Sequence, residues 1–392
     1  MMTRHFSFAP CALLTLSVLL IVTSCAEYNQ TEPPGPDFYS LFNGSDLSGW
    51  NIEPDEGAWY AENGWIHCKG EPQTPYLILT EKEYENFEFY AEFKVSKECN
   101  SGIFFHVPKA GRQSRLGFEA QILDDAGKQP DKNATGAIYD VVPPLTNAMR
   151  RAGRWNRYRV LFDWPLCKIW LNGTLVQDTD FSAHPELKYR LRRGPIGLSN
   201  HGYVVDYRNL WISELPDTDT GAVAFNGVDL SGWFTVGDAD WHVENGMITS
   251  TKGEGYLVSE RELEKVYFHA YVKNDTLSHR NASFFYRWKS PDDPGYPLEF
   301  LDYLDAVKYT EQYGDTIPGD VIQPMRSGWF IYRIISADRE SLMYLNEFVV
   351  SENKLLGKPP MGRIAIYRSP EDGVIQIRDV KIRRLEGMGI YH

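Results

Sequence analysis

Glu119 and Gln121 are a pair of polar residues whose types and spacing could support chemistry. They lie within residues 117–124, where the alternate positions 118, 120 and 122 are apolar. Successive side chains of a β-strand point to opposite faces, so we expect Glu119 and Gln121 to share the face opposite the apolar one. A carboxylate can act as a general base or a metal ligand, and an amide can both donate to and accept from hydroxyl groups. A solvated sheet face that carries a Glu and a Gln fits the same pattern.

Two histidines stand at the ends of predicted strands. His201 precedes a glycine and a predicted strand over residues 203–212, and the pKa of an ordinary histidine lies near neutrality, which suits proton transfer. A lone loop histidine is also commonly a plain surface group. His106 ends a predicted strand over residues 101–106 and is expected on the face of Phe104. It could donate to a substrate oxygen or be a tolerated surface residue.

Three further side chains are weaker candidates. The Tyr139 phenol could donate to a ligand or stack on it, or it could belong to the core. Arg208 is the arginine best suited to polarise a carbonyl, because the arginines between 150 and 159 split between strand faces and most of them are expected to be solvated. Asp124 begins an acidic loop whose spacing matches no calcium loop, so a solvated turn is favoured over a metal site.

Several catalytic patterns are absent from the sequence. It contains no Gly-x-Ser-x-Gly motif, no phosphate-binding glycine loop and no dinucleotide fingerprint. Retaining glycoside hydrolysis needs two opposed carboxylates about 5 Å apart, and Glu119 and Asp124, on one predicted strand, cannot show that arrangement. The net charge of −13, from 40 basic and 53 acidic residues, argues against a nucleic-acid partner.

The elements that must position these residues are predicted to be β-strands. The 11 Trp, 23 Tyr and 20 Phe, with 32 Gly and 23 Pro, favour an all-β protein with many turns. Residues 87–94 alternate, with apolar side chains at 87, 89, 91 and 93. Asn172-Gly173 separates two strand-like runs and predicts a hairpin with a type I′ turn. No long segment has a helical period, so the sequence predicts antiparallel β-sandwiches.

An internal repeat organises the chain. Residues 42–50 recur as residues 225–233 with eight matches in nine. Further matches follow in the same order: Trp59 with Trp241, Trp155 with Trp329, Asn172 with Asn346, and residues 207–210 with residues 377–380. A spacing of 170 to 183 residues is too long for a solenoid repeat, so a whole domain is duplicated.

The N-terminus is predicted to be a targeting segment. Residues 6–22 form an uncharged, almost unbroken apolar run after Arg4, followed by a polar, Pro-rich stretch, which favours a signal segment over a stable membrane-spanning helix. The run ends in Val-Thr-Ser before Cys25, which resembles a bacterial lipobox. We expect Cys25 to carry a lipid anchor in a membrane of the cell envelope, at the periplasmic side or the outer-membrane surface. An ordinary secretory signal that contains a cysteine is the alternative.

The repeat and the targeting segment together predict the domain organisation. We expect a lipoprotein signal peptide over residues 1–24, a tether over 25–37, a first sandwich over 38–215, a linker over 216–221 and a second, diverged sandwich over 222–386. Beyond the N-terminal segment, three cysteines cannot all pair with one another and fit no zinc pattern. We expect them to be small core residues: Cys68, Cys99 and Cys167.

A series of motif segments in the first repeat carries a family resemblance. In chain order they are residues 42–50, 59–64, 100–106, 117–124, 135–139, 153–156, 171–173, 194–198, 200–202 and 207–210. Over these segments the first repeat resembles the 3-keto-disaccharide hydrolase domain, a concanavalin A-like jelly roll common in bacterial lipoproteins. The resemblance implies an all-β fold of two tandem concanavalin A-like antiparallel β-sandwich domains.

The resemblance also implies an enzyme that cleaves 3-keto-glycosides, such as 3-keto-disaccharides. A ketone at C3 acidifies the proton at C2, so one general base can remove it, the enolate expels the group at C1, and water then adds. His201 or Glu119 is implied as the base, with Arg208 as enolate stabiliser together with His106 or a divalent cation.

The sugar contacts implied by the resemblance are Gln121 and Tyr139. No cofactor is certain, and the weak candidates for ligands of a divalent cation are Glu119, Asp124 and His201. The partners expected are a glycan or 3-keto-sugar substrate and, through the lipid anchor, a membrane.

Two departures from the family pattern bear on activity. The family usually has Arg at the position of His106 and commonly Gln at the position of Ser199. The second repeat departs further, since residues 281–287 replace the motif of residues 100–106, Glu299 is taken as the match of Glu119, and no histidine matches His201. The second repeat is therefore predicted to be structural or binding.

Two non-enzymatic functions remain open from the sequence. A pair of lipid-anchored carbohydrate-binding modules would need only aromatic faces for sugar rings and a few hydrogen-bonding groups. An envelope protein whose sandwiches only mediate assembly would need neither. Saturable glycan binding without product would identify the first, and the absence of both binding and product would leave the second.

Overall fold

The computed structural model describes residues 32–52, 57–72, 76–218, 224–274, 282–299, 328–337, 340–354, 361–370 and 373–385. The predicted signal peptide, the lipidation candidate Cys25, residues 25–31 of the predicted tether and part of the predicted linker lie outside these ranges. Within them, no helix is both long and apolar enough to cross a membrane.

The first half of the described chain forms thirteen strands. They are β1 (Tyr39–Ser40), β2 (Trp50–Asn51), β3 (Trp59–Glu62), β4 (Trp65–Cys68), β5 (Leu77–Thr80), β6 (Phe87–Val95), β7 (Asn100–Phe105), β8 (Phe118–Leu123), β9 (Trp155–Asp163), β10 (Leu166–Leu171), β11 (Thr174–Asp180), β12 (Gly197–Ser199) and β13 (Val205–Glu214). A short helix, α1 (Gln113–Leu116), lies between β7 and β8, and a 3₁₀ turn (Phe181–Ala183) follows β11.

The second half of the described chain forms twelve strands. They are β14 (Trp233–Gly237), β15 (His242–Glu244), β16 (Met247–Ser250), β17 (Gly255–Ser259), β18 (Val266–Asn274), β19 (Ala282–Trp288), β20 (Tyr296–Glu299), β21 (Trp329–Ala337), β22 (Glu340–Leu345), β23 (Phe348–Lys354), β24 (Arg363–Arg368) and β25 (Ile375–Arg384).

Each half is a sandwich of two antiparallel sheets. The first sandwich has an eight-stranded sheet, ordered β11-β10-β9-β6-β13-β4-β3 with β1 beside β13, and a five-stranded sheet ordered β2-β5-β12-β7-β8. The second has a seven-stranded sheet, β15-β16-β25-β18-β21-β22-β23, and a five-stranded sheet, β14-β17-β24-β19-β20. Apart from β1, each strand of the first sandwich has an equivalent in the second, numbered twelve higher, and the order of strands in the sheets is the same. The predicted all-β fold of two tandem sandwiches is confirmed.

The core of each sandwich lies between its two sheets. In β6 the residues Phe87, Phe89 and Phe93 have no exposed surface, as the predicted alternation of residues 87–94 requires. The predicted hairpin joins β10 to β11, and Asn172 and Gly173 have φ angles of 53° and 84°, in the left-handed region that a type I′ turn demands.

The three described cysteines are buried and unpaired, which confirms that they are small core residues. Burial raises the pKa of the Cys68 thiol to about 11 and that of Cys99 to about 12, and it raises the pKa of Cys167 further still. None of these thiols is therefore a reactive nucleophile at neutral pH.

Candidate active site

A cleft lies over the outer face of the five-stranded sheet of the first sandwich. The cleft opens to solvent, and about 490 Å³ of space lies in it and at its mouth. Its lining brings together residues that are far apart in the chain: Tyr76, Asn100, Phe104, Arg112, Gln113, Ser114, Glu119, Gln121, Tyr139 and His201. Four of the site residues predicted from the sequence are in this set: Glu119, Gln121, Tyr139 and His201.

Glu119 is the acidic group of the cleft. It projects from the outer face of β8, and only 4% of its surface is exposed. Burial raises the pKa of this carboxyl to about 8, and the positive charge of Arg112 opposes that rise. A carboxyl with a pKa near the ambient pH can act as a general base or a general acid.

Gly102 on β7 makes room for the Glu119 carboxylate. In the pairing of β7 with β8, Gly102 stands opposite Gln121 and Phe104 stands opposite Glu119. A Cβ atom added to Gly102 would overlap Oε1 of Glu119. The carboxylate therefore lies across β7 in a space that only glycine leaves open.

Tyr139 is held beside Glu119 by backbone pairing. Its N–H donates to the carbonyl of Glu119 at 3.0 Å, and the N–H of Gly136 donates to the carbonyl of Gln121 at 3.0 Å. This short segment extends the sheet past β8 and delivers the Tyr139 phenol to the cleft. Burial and the nearby Glu119 charge raise the pKa of Tyr139, so its hydroxyl remains a proton donor.

His201 forms a pair with Tyr76, a residue that the sequence did not single out. The Tyr76 hydroxyl lies 3.0 Å from Nε2 of His201, and the two rings meet edge to face with centroids 4.8 Å apart. The loop that carries His201 is fixed by Asn200, whose side chain donates to the carbonyl of Pro72 at 2.8 Å and accepts from the N–H of Gly202 at 3.0 Å.

Arg112 supplies the positive charge of the cleft. It immediately precedes α1 in the connection between β7 and β8, and Gln113 and Ser114 of α1 also line the cleft. This connection has no strand period and no recognisable motif, so nothing in the sequence marked Arg112 as a site residue.

The expectation that His106 lies on the face of Phe104 is wrong, and His106, predicted as a substrate contact, does not line the cleft. His106 is 2% exposed, its Nε2 lies 2.9 Å from the carbonyl of Glu85, and its ring packs against Phe118 and Phe162. Strand alternation placed it on the outer face, but its φ of 53° ends the extended geometry and turns the side chain away from that face. Burial lowers the pKa of His106 to about 4, so the ring is neutral at physiological pH.

Arg208, predicted to polarise a substrate carbonyl, does not line the cleft. Arg208 lies on β13 in the other sheet, where its Nε donates to Oε2 of Glu92 at 2.7 Å. Its guanidinium stacks over Trp155 with 3.9 Å between the guanidinium carbon and the ring centroid. Both charged groups are nearly fully buried, and neither lines the cleft.

Of the three weak candidates for metal ligands, Glu119 and His201 line the cleft and Asp124 does not. Oδ2 of Asp124 accepts the backbone N–H of Glu98 at 3.0 Å, and Asp124 is not among the residues that line the cleft with Glu119 and His201. Within the described ranges, no group of three or more His, Cys, Asp and Glu side chains is arranged to hold a metal ion. Ser199, the second departure from the family pattern, is buried outside the cleft lining, where its carbonyl accepts from the Ser101 hydroxyl.

The register of the second sandwich corrects the match of Glu299. Ser283, the second-copy equivalent of Gly102, stands opposite Glu299, whereas Gly102 stands opposite Gln121. Glu299 therefore takes the position of Gln121, two residues away from the position expected from the sequence.

The position of Glu119 in the second sandwich is occupied by Pro297. Pro297 pairs with Phe285, the second-copy equivalent of Phe104. In the same way, the register of β24 places Ser369 at the position of His201. Neither the carboxylate nor the histidine of the cleft has a counterpart at the equivalent described positions.

A family profile matches both sandwiches. The 3-keto-alpha-glucoside-1,2-lyase-like domain matches residues 37–213 and again residues 222–383, which together are well over half of the chain. The chain belongs to this family. The double match agrees with the internal repeat and with the shared strand order of the two sandwiches.

Individual proteins similar to the chain are about a quarter identical to it over the aligned residues. The 3-keto-disaccharide hydrolase of Bacteroides thetaiotaomicron is 26% identical over 230 residues, which cover 45% of this chain and 78% of the relative. Two solved structures from Parabacteroides distasonis, both named as glycosyl hydrolases, are 28% and 25% identical. They cover 46% of this chain and 94% and 100% of their own, with TM-scores of 0.40 for both.

Proposed function

We propose that the first sandwich cleaves 3-keto-glycosides by elimination between C1 and C2 of the sugar ring, followed by addition of water. Membership of the family and the name of the Bacteroides thetaiotaomicron relative support the broader class, a carbohydrate-active hydrolase or lyase. The finer proposal depends on the chemistry of the cleft.

The observation that carries the proposal is the single desolvated carboxylate. Glu119 is the one acidic side chain among the described residues that line the cleft, and its pKa is raised to about 8. Ordinary glycoside hydrolysis needs a second carboxylate across the bond. Removal of a proton next to a ketone needs one base whose pKa is close to that of the medium, together with a group that stabilises the enolate.

Glu119 is the base in this proposal. Its carboxylate takes the proton from C2, and the electron pair of the C2–H bond forms an enolate with its negative charge on the C3 oxygen. The Arg112 guanidinium stabilises that charge. When the enolate collapses, the bond between C1 and the leaving oxygen breaks, the electron pair departs with that oxygen, and a C1=C2 double bond remains beside the restored ketone.

The pair of His201 and Tyr76 supplies a proton to the departing oxygen. Water then adds to the double bond: one of its protons passes to the pair of His201 and Tyr76, its hydroxide bonds to C1, and Glu119 returns a proton to C2, so the net reaction is hydrolysis and each group regains its starting protonation state. Gln121 and Tyr139 hold the sugar hydroxyls, since an amide and a phenol can each donate and accept.

The decisive experiment is incubation of the purified protein with a 3-keto-glucoside carrying a chromogenic aglycone. We expect release of the aglycone, loss of at least about a hundredfold in rate for Glu119→Gln, in line with removal of a general base, and no change for Glu81→Gln, whose side chain is exposed. No release by the wild type, with or without added divalent cations, contradicts the proposal. Saturable glycan binding without product would assign the protein to the carbohydrate-binding class instead.

We also propose that the protein is a lipoprotein of the cell envelope, anchored through Cys25. The support is the uncharged apolar run of residues 6–22 and the Val-Thr-Ser-Cys ending. Growth with a radiolabelled fatty acid should label the wild type and leave Cys25→Ser unlabelled. Equal labelling of the two would rule out this anchor.

A further inference from the structure

The connection between β7 and β8 has one side in the cleft and the other on the second sandwich. Arg112, which lines the cleft, donates its backbone N–H to Oε2 of Glu347 at 3.1 Å. Three residues earlier, the N–H of Lys109 donates to the hydroxyl of Tyr271 at 3.1 Å. The side chain of Leu116 belongs to the same buried cluster as Tyr271. The loop that carries the cleft's cation is therefore bound to the second copy.

Gly111 shows how closely the loop and the second sandwich meet. Its φ is 79°, and a Cβ atom there would lie 2.5 Å from a methyl group of Leu116 and 3.2 Å from Oε2 of Glu347. The residue before Arg112 thus has to be glycine for both its conformation and its contacts.

The Glu347 carboxylate is an addition that the first sandwich does not have. Asn172 and Asn346 make the same pair of bonds at equivalent turns: each N–H donates to the neighbouring strand, at 2.9 and 2.8 Å, and each Oδ1 accepts from it, at 3.0 and 3.1 Å. The next residue is Gly173 in the first copy and Glu347 in the second. This turn position has no side chain in the first copy, and in the second copy it has the carboxylate that binds the Arg112 backbone.

A second set of contacts holds the other end of the same loop. Arg190 donates to the carbonyl of Ser114 at 2.7 Å and to that of Gly117 at 3.0 Å. Arg333 of the second sandwich donates to the carbonyl of Tyr189, next to Arg190, at 3.2 Å. The second sandwich therefore contacts both Arg112, at the start of α1, and Tyr189, the neighbour of the arginine that fixes the end of α1.

We propose that the second sandwich is a brace for the cleft and that Glu347 is a positioning residue, which holds Arg112 where it faces Glu119. This inference rests on the proposed function for its kinetic consequences, but the bracing itself is a property of the substrate-free protein. It gives the diverged copy a role that needs neither a carboxylate at the position of Glu119 nor a histidine at the position of His201.

Loss of the contact between Glu347 and the Arg112 loop should change the pH dependence of the reaction. The Arg112 charge lowers the pKa of Glu119, against the rise caused by burial. If Arg112 moves away, the pKa of Glu119 rises, and the base is ionised only at higher pH. We expect the acidic limb of kcat/KM in Glu347→Ala to move up by about one pH unit, with about a tenfold loss of rate below the limb.

Two variants separate this role from a merely structural one. Glu347→Gln keeps an oxygen that can accept the Arg112 N–H, so its pH profile should stay close to that of the wild type. Glu244→Ala removes an exposed carboxylate from another hairpin of the second sandwich and should change nothing. The proposal is overturned if the acidic limb of kcat/KM in Glu347→Ala coincides with that of the wild type. It is also overturned if Glu244→Ala shifts the limb as much as Glu347→Ala does.

Hydrogen exchange of the substrate-free protein tests the brace without any activity. Backbone amides of residues 109–117 should exchange at least about tenfold faster in Glu347→Ala than in the wild type or Glu347→Gln, because a lost hydrogen bond lowers the free energy of local opening. Unchanged exchange in Glu347→Ala overturns the brace whatever the kinetics. Faster exchange in a protein that releases no aglycone supports the brace and places the failure in the proposed function.

Discussion

Glu119 combines reactivity with a cost to stability. The burial that raises its pKa to about 8 suits the proposed role of a base near neutrality, and it also makes the ionised carboxylate unfavourable in the folded state. The cation of Arg112 offsets part of that cost but does not reverse the direction of the shift. A site of this kind is expected to trade stability for function.

Glu119→Gln should therefore raise the stability of the protein, and increasingly so as the pH rises. The carboxyl has a pKa of 4.5 in an unperturbed chain and about 8 when folded, so the folded state binds more protons than the unfolded state between these values. Stability is then lost as pH rises from about 4.5 through about 8. The glutamine of the Glu119→Gln variant does not titrate. Because each unit of pKa shift corresponds to about 1.4 kcal/mol, the variant should be more stable than the wild type by a few kcal/mol at pH 9.

Melting temperatures of both proteins from pH 5 to pH 9 measure this effect. The difference between them should be small at pH 5 and largest at pH 9, while Glu81→Gln should follow the wild type throughout. A difference that shrinks with rising pH would contradict a raised pKa for Glu119.

Residue-level prediction from the sequence worked where strand alternation holds. It placed Glu119 and Gln121 on one face, and the structure brings them together with Tyr139 and His201. It failed at His106, because a single left-handed residue turns the side chain inward. The sequence did not identify Arg112, because a loop has no periodic pattern that predicts the direction of its side chains.

At the scale of elements, the pairing of β7 with β8 decides where the carboxylate of Glu119 can lie. Gly102→Ala should displace that carboxylate, because the added methyl group would overlap Oε1. We expect a loss of at least about tenfold in kcat/KM, since a 1 Å misplacement of a catalytic group can cost a hundredfold. The melting temperature at pH 5 should change little, because the displaced atoms border an open cleft. The matched control is Ser283→Gly at the equivalent position of the second sandwich, and equal activity losses in the two variants would refute this reading.

The outer face of the eight-stranded sheet is held by a buried ion pair. Glu92 on β6 accepts from Arg208 at 2.7 Å and from Arg157 at 3.0 Å. Glu92→Ala should destabilise the protein by about 3–5 kcal/mol, because it leaves the buried Arg208 charge without its partner. Denaturant unfolding measures the loss, and the activity of the folded fraction should be unchanged because Arg208 lies in the other sheet from the cleft. A loss of activity without a loss of stability would instead indicate that Arg208 takes part in the reaction.

Elements were more predictable than their registers. The strands at residues 87–94 and 117–124 and the Asn172-Gly173 hairpin follow from local patterns, and each is found. The match between Glu299 and Glu119 failed by two residues, because a shift of two keeps the side chain on the same face and the local pattern cannot detect it. The partner of Arg208 is 116 residues away in the chain, so no local pattern identifies it.

At the scale of the whole molecule, the two sandwiches have one topology but different residues at the positions of the cleft. The first retains glycine at position 102 and the side chains of the cleft, and the second has Ser283 and Pro297 at the corresponding places. What the second sandwich adds is the contact surface of Tyr271, Arg333 and Glu347 beneath the Arg112 loop. Retention of a copy without the cleft residues is explained if the first copy needs that surface.

Trp233→Ala tests whether the two sandwiches depend on one another. Trp233 is buried in the core of the second sandwich, and its indole N–H donates to the carbonyl of Ala224. Its truncation should cost about 3–5 kcal/mol through lost packing and a residual cavity. The substitution lies in the second sandwich, in neither the cleft nor the loop, so any kinetic effect has to be transmitted through the brace.

We expect Trp233→Ala to lose activity at a lower temperature than the wild type, in step with unfolding of the second sandwich followed by hydrogen exchange of β18 and β21. Before activity is lost, the acidic limb of the pH profile should move in the same direction as in Glu347→Ala, because opening of the second sandwich releases the same Arg112 loop. Trp50→Ala is the matched change in the first sandwich and should abolish activity by unfolding the cleft itself, without a preceding shift of the limb. If hydrogen exchange shows that the second sandwich of Trp233→Ala is open while activity is full and the pH profile is unshifted, the first sandwich works alone.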